Sequence, residues 1–386
     1  MRKENPIPSN TEAVLIPQVK ERNLNFELLR IVAMFIVVLL HVNLMGGVLR
    51  GVNYNENLSG FLVSRFMEYL CIIAVNLYVM ISGYYLSASA RPFKMAKLLH
   101  ILCMTMFWSW LIGGAACYFL GANLNSFIMT GIFPVLGRNY WFVTDYVVMY
   151  LLSPFYNRLL VCINQKQHGY LLCVLGFFFS LVIGAFDPIQ LVGGYSLYWF
   201  TLLYILAAYI RKYPVSIKRR SYALVWILVL LLQIFAYSLC HALHLDFIAA
   251  RFFDLNYNSI WILINSICCF MIFKDMQVKR GARLIKFLAP LTFGIYLIHI
   301  NSGIADWLFQ DLLPIQDYAH QDGLTVLACL LLFTMLVFTV SALLEKLRQM
   351  LSAFLGKFFN IPNYLLHLKF LKLSVIDNIL ETKYNE

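Results

Sequence analysis

The chain has 386 residues, of which 61% are hydrophobic and only 13% charged, against about 25% charged in an ordinary soluble domain. Its apolar residues come in runs of roughly 17 to 24, a bilayer-spanning length, so composition excludes a soluble globular protein and points to an all-α, polytopic membrane protein. The formal charge of +11 would suit a nucleic-acid partner, but the basic residues are placed as a membrane protein places them, so no nucleic acid is expected.

Residues 1–24 are polar, carry Pro6, Pro8 and Pro17, and have no apolar core. No cleavable signal peptide is expected, and the first span serves as an uncleaved anchor. That span opens with NFELLRIVAMFIVVLLHV, Asn25 to Val42, which holds an arginine, Arg30, and a histidine, His41. Their spacing amounts to about three helical turns plus ~20°, so both side chains leave one face, with a rise of about 16 Å between them. Arg30 at a cytoplasmic helix end is what a snorkelling residue looks like. His41 near mid-bilayer is different: an ionisable group there is costly and is read as functional. An imidazole at that depth is expected to stay uncharged, the state a general base needs. A helix–helix hydrogen bond is the plainer alternative.

Further spans are predicted at about 67–87, 100–120, 140–161, 169–186, 195–210, 221–241, 258–274, 287–308 and 323–344, which makes about ten with the first at 28–49. The charge asymmetry supports this count. Of 30 Lys and Arg, only Arg50, Arg65, Arg138 and Arg251 fall in the odd-numbered gaps, leaving 26 for the tails and even-numbered gaps. Both termini are therefore expected to be cytoplasmic. The domain reading is a tail over 1–24, a ten-helix membrane domain over 25–345, and a cytoplasmic amphipathic tail over 346–386, where LLHLKFLKL at 365–373 alternates basic and apolar residues. Asn57-Leu58-Ser59 is a glycosylation sequon, given little weight.

The second candidate for chemistry is His299, in LAPLTFGIYLIHI, about 20 Å above Lys286 and so near His41 in depth. Tyr296 lies one turn below it on a related face. Asp145, in NYWFVTDYVVMYLLSPFYN, could orient a histidine, bind an acceptor hydroxyl or only face a wet vestibule, and Trp141 is a further candidate for holding an acceptor. Asn43, Gln233 and Asn265 are further intramembrane polar groups, and Asn76 and Ser82-Gly83-Tyr84 read as close-packing and hydrogen-bonding positions of the second span. The histidines at 100, 168, 241, 244, 320 and 367 are expected at helix ends or in loops, in solvent. The nine cysteines have no CxxC or Cys/His spacing, so neither disulfides nor a metal site is expected. P-loop, HExxH and GxSxG signatures are missing.

The motif NFELLRIVAMFIVVLLH resembles the first-helix signature of the membrane-bound acyltransferase-3 family, a basic residue and a histidine spaced R/K-x10-H, which Arg30 and His41 match. The resemblance continues in order through VNLYVMISGYYL at 75–86, YWFVTDYVVMYLLSPFYN at 140–157 and LTFGIYLIHI at 291–300. It implies an integral membrane O-acyltransferase of the cytoplasmic (inner) membrane, bacterial. Its acyl group, acetyl by expectation, would pass from cytoplasmic acyl-CoA to a hydroxyl of a cell-surface polysaccharide or lipid-linked sugar. Acyl-CoA would be a co-substrate, with no permanently bound cofactor and no metal. By motif, His41 would be the catalytic histidine and Arg30 would meet the donor. His299 joins His41 as a catalytic candidate, while Arg91, Lys94 and Lys97 would receive the CoA phosphates and Asp145, Tyr296 and Trp141 the acceptor. The chain departs from many members in one segment: SASARPFKMAKLLH after the second span has one arginine and two lysines where they are arginine-rich. Some members also carry an extracytoplasmic hydrolase-like domain; here a tail of about 40 residues follows the membrane domain, expected on the cytoplasmic side. The rival reading is a transporter of a glycan intermediate or small metabolite using the buried histidines, against which no paired Gly/Pro-interrupted repeat is visible.

Overall fold

The structure, a computed structural model, describes residues 23–89, 93–183, 192–253 and 255–358. The described residues are helical, with no strand. We number the principal helices α1 (Leu24–Met45), α2 (Leu58–Cys71), α3 (Ala74–Leu86), α4 (Met95–Phe119), α5 (Trp141–Val161), α6 (Gln165–Gly176), α7 (Leu197–Lys212), α8 (Arg219–Ala242), α9 (Ile260–Lys274), α10 (Ala282–Leu288), α11 (Thr292–His299) and α12 (Gly323–Phe358).

Among the described residues, six stretches are long and apolar enough to cross a membrane: Leu24–Met45, Leu58–Leu86, Met95–Phe119, Arg219–Ala242, Ala282–His299 and Gly323–Leu355. The other predicted spans also hold helices, but α7 has 16 residues and α9 has 15, about 22–24 Å of helix against a hydrocarbon core of about 30 Å. Several predicted boundaries move. The second span begins earlier, at Leu58, because Asn57 caps it by accepting from the Gly60 amide at 2.9 Å. The same Asn57 amide donates to the Ala319 and Gln321 carbonyls, so the sequon asparagine is a structural clasp. The ninth span ends at His299 rather than 308, since Asn301 turns the chain by accepting from the Gly303 amide at 2.9 Å. Helix α12 continues past 345 to Phe358; the predicted amphipathic stretch at 365–373 lies outside the described residues.

Helix α1 is the axis of the molecule. Asn23 caps its N-terminus by accepting from the Asn25 amide, and α2, α3, α9, α10, α11 and α12 all pack on it. Leu29, Ala33, Val38 and Val42 are completely buried along its length. Helix α3 lies between α1 and α7 and approaches α7 closely at Gly83, where an added Cβ would stand 2.9 Å from Tyr204 Cα; this is the small-residue contact that lets membrane helices touch backbone to backbone.

Several buried polar groups are paired across helices, where no water can satisfy them. Asn76 donates to the Tyr257 carbonyl and Ser266, both at 3.1 Å, and accepts from the Trp199 indole at 2.9 Å. Asn265 donates to Gln233 at 2.8 Å. Glu345, fully buried on α12, accepts from the Trp108 indole at 3.0 Å and from Arg348 at 2.8 and 2.6 Å. One expectation is corrected here: His168 is fully buried rather than solvated. Its Nε2 donates to the Ile205 carbonyl at 3.1 Å, and the rings of Tyr209 and Tyr213 enclose it.

Candidate active site

The two histidines singled out by depth are in direct contact. His41 Nδ1 and His299 Nε2 lie 3.0 Å apart, and His299 Nδ1 lies 2.6 Å from the Ile295 carbonyl, one turn back on its own helix. A carbonyl only accepts, so His299 Nδ1 carries its proton. In the neutral pair, His299 Nε2 is then an acceptor, and His41 Nδ1 donates to it. The second nitrogen of His41 is left with its lone pair free. A carbonyl thus sets the tautomer of one imidazole, which sets that of the next. His299 is fully buried and stands behind His41.

His41 lines a partly open chamber, about 600 Å³ including its mouth, together with Cys71, Tyr78, Trp141, Tyr257 and Tyr296, the rest of its wall being apolar. At the chamber, Trp141 packs on Tyr195 (ring centroids 4.4 Å) and on Tyr257 (5.6 Å), and Tyr195 on Tyr257 (4.8 Å), forming an aromatic cluster from three separate segments.

A second cavity, about 1130 Å³ including its mouth, holds Arg30, Ser82, Tyr85, Lys97, His100 and Tyr146. Tyr78, Phe142 and Phe293 line both spaces, so the two are neighbours divided by three aromatic side chains. The Arg30 guanidinium is oriented by Glu27 at 2.9 Å, while its carbonyl accepts from the Tyr78 hydroxyl at 2.7 Å. Lys97 donates to the Tyr146 hydroxyl at 3.2 Å and lies over the Tyr150 ring at 4.7 Å.

The structure therefore gathers His41, Trp141 and Tyr296 around the chamber, with His299 behind, and Arg30 with Lys97 around the second cavity. It does not bring all candidates in. Lys94 is exposed at the start of α4 and lines neither space. Asp145 lines neither; its one charged partner is Arg138, at 3.9 Å. Arg91 lies outside the described residues. Sequence reasoning missed Glu27, Cys71, Tyr78, Tyr195 and Tyr257, the dividing pair Phe142 and Phe293, and Glu68. Glu68 is a buried carboxyl that accepts from Asn43 at 2.8 Å, two residues beyond His41. Only Glu27 and Glu68 had a signal, as acids inside apolar runs. Among the described residues, no three His, Cys, Asp or Glu side chains gather in a metal-ligating group.

Fold and site together define a multi-pass, membrane-embedded helical protein built around a buried imidazole pair. The chain belongs to the acyltransferase-3 family: the family's model, described as an acyltransferase domain, matches residues 23–344, essentially all of the helical body, which makes this a membrane acyltransferase. Neither a curated protein nor a solved structure matches it.

Proposed function

We propose that the protein transfers an acyl group, acetyl by preference, from cytoplasmic acyl-CoA to a hydroxyl of a cell-surface polysaccharide or lipid-linked sugar. It crosses a bacterial cytoplasmic membrane ten times with both termini inside. The observation that carries this reading is the chain from the Ile295 carbonyl through His299 to His41, which leaves His41 with a free lone pair beside a mostly apolar chamber.

The donor would enter by the second cavity. There Arg30, held by Glu27, presents a planar fork of donors suited to phosphate oxygens, and Lys97 adds a point charge. The acyl-pantetheine arm passes between Tyr78, Phe142 and Phe293 to the chamber, over a distance set by the rise of about 16 Å from Arg30 to His41. The acceptor hydroxyl gives its proton to His41 as its oxygen attacks the thioester carbon, and the departing thiolate takes that proton. The cluster of Trp141, Tyr195 and Tyr257 supports a sugar as acceptor, because the C–H face of a pyranose stacks on aromatic rings while its hydroxyls remain available for hydrogen bonds.

The test is glycan acylation by mass spectrometry in cells carrying wild type, His41→Ala or Arg30→Ala at matched membrane levels. His41→Ala is expected to lose the added acyl mass, a rate effect of about 10²–10⁴. Arg30→Ala should retain residual transfer that rises with acyl-CoA supply. An unacylated glycan in wild type, with His41→Ala altering only uptake or export, would replace this reading with a transporter.

A further inference from the structure

Three tyrosines line the histidine chamber: Tyr78, Tyr257 and Tyr296. The Tyr78 hydroxyl donates to the Arg30 carbonyl. The Tyr257 hydroxyl is engaged with that of Tyr195. Tyr296 is different. The residue is 8% exposed, and its buried hydroxyl has no side-chain hydrogen-bond partner and no acceptor for its proton, its one polar contact being the Phe142 backbone. Leaving such a group unsatisfied costs about 1–3 kcal/mol, and native structures rarely leave one without a use.

Packing does not supply that use. The Tyr296 ring meets Tyr140 at 6.0 Å, Phe142 at 5.9 Å and His299 at 6.3 Å, contacts that a phenylalanine would make equally well. The hydroxyl is what packing leaves over. It stands three residues before His299 on the same helix, so the helix that orients His41 also carries this donor. Helix α5 starts beside it. Its first residue follows Tyr140, whose side chain makes no cap, and the amides of Val143 and Thr144 return to the Tyr140 carbonyl. The amides of Trp141 and Phe142 have no partner within the helix. The backbone of Phe142 is the polar neighbour of the Tyr296 hydroxyl, and a helix N-terminus carries partial positive charge.

We propose that the Tyr296 hydroxyl, backed by the N-terminus of α5, is the oxyanion donor of the transfer reaction. The assignment rests on the acyl-CoA reading above. As the acceptor oxygen bonds to the thioester carbon, the carbonyl π pair moves onto oxygen and the acceptor proton moves to His41. The tetrahedral oxyanion accepts a hydrogen bond from Tyr296. When the carbonyl re-forms, the C–S bond breaks and the thiolate leaves with the proton from His41, giving an ester and free CoA thiol. Tyr296 keeps its proton throughout. A donor aimed at charge that exists only in the transition state has no partner in the resting protein, and such donors contribute most to rate.

The experiment uses the full-length protein in proteoliposomes, radiolabelled acetyl-CoA, and the glycolipid extract of the expressing cells as acceptor. Tyr296→Phe is expected to lower kcat by about 10²–10³, with KM for acetyl-CoA and melting temperature unchanged. Tyr140→Phe, whose hydroxyl ties Leu297 to Asn301, should lower the melting temperature without that selective loss of kcat. A Tyr296→Phe enzyme with wild-type kcat, or one altered only in KM for the acceptor, overturns the oxyanion assignment and leaves the acyltransferase reading intact. A wild-type protein inert toward acetyl-CoA overturns both. Should Tyr296→Phe fail to accumulate, fluorotyrosine at 296, with the same shape and a more acidic hydroxyl, is expected to change kcat; an unchanged kcat overturns the assignment.

Discussion

His41 Nδ1 and His299 Nε2 are 3.0 Å apart, and the proton between them belongs to His41, because the Ile295 carbonyl already takes the proton on the far side of His299. His299 thus touches His41 and, being fully buried, lines neither cavity. It holds one ring orientation and one tautomer, the service an orienting carboxylate performs for a catalytic histidine in hydrolases.

Replacing His299 with Phe should therefore lower kcat by about 10²-fold or more without raising KM for the donor. His299→Gln, whose amide oxygen accepts from His41, should recover part of the loss. Steady-state kinetics on the three proteins decides it: equal rates for Phe and Gln would leave His299 a packing residue.

Cys71 lines the chamber with His41 and is the one chamber residue able to form a thioester of its own. Direct attack by the acceptor has no use for it. Cys71→Ala should keep transfer within a few-fold of wild type, and intact-protein mass spectrometry after acyl-CoA addition should find no acyl adduct on the wild type. Loss of transfer in a folded Cys71→Ala would require an acyl-enzyme.

Gly294 on α11 gives room to the Glu345 carboxyl of α12, into which an added Cβ would project. Glu345 has little freedom to retreat, being held by Trp108, Arg348 and Gln349. Gly294→Ala should cost about 1–3 kcal/mol as overpacking, read as a lower melting temperature in detergent. An unchanged melting temperature would mean that this contact relaxes freely.

Asp322 begins α12 and accepts from the Thr325 hydroxyl at 2.6 Å and amide at 3.2 Å. These bonds hold its carboxyl below the usual carboxylate range. A depressed folded value means the cap is fully effective above the ordinary value of about 3.9 and is lost as pH falls below it. Melting temperature should therefore drop with pH in that acid window, and Asp322→Asn should reduce the drop. Identical acid profiles would remove Asp322 as a contributor.

Much of this was legible because membrane sequences state depth openly. Arg30, His41 and His299 each break an apolar run, and matching their depths placed the two imidazoles in neighbouring layers before any fold was known. Rotation about the helix axes is not written so plainly. Nothing in the apolar runs says that Tyr78, Phe142 and Phe293 face one another, or that Asp145 turns toward Arg138 instead of the chamber. His168 looked like a loop residue because it stands four residues after Asn164, yet Asn164 caps α6 and carries the imidazole against Ile205. Span ends failed where a side chain redirects the backbone, as Asn301 does after His299.

The partition formed by Tyr78, Phe142 and Phe293 sets the terms of waste as well as passage. A thioester beside a general base is hydrolysed whenever water arrives before the acceptor, and each such event spends an activated acyl group for nothing. Water following the donor arm would have to cross those three rings. On the acyl-CoA reading proposed above, the free acid released per ester made would rest on their bulk more than on His41 and His299.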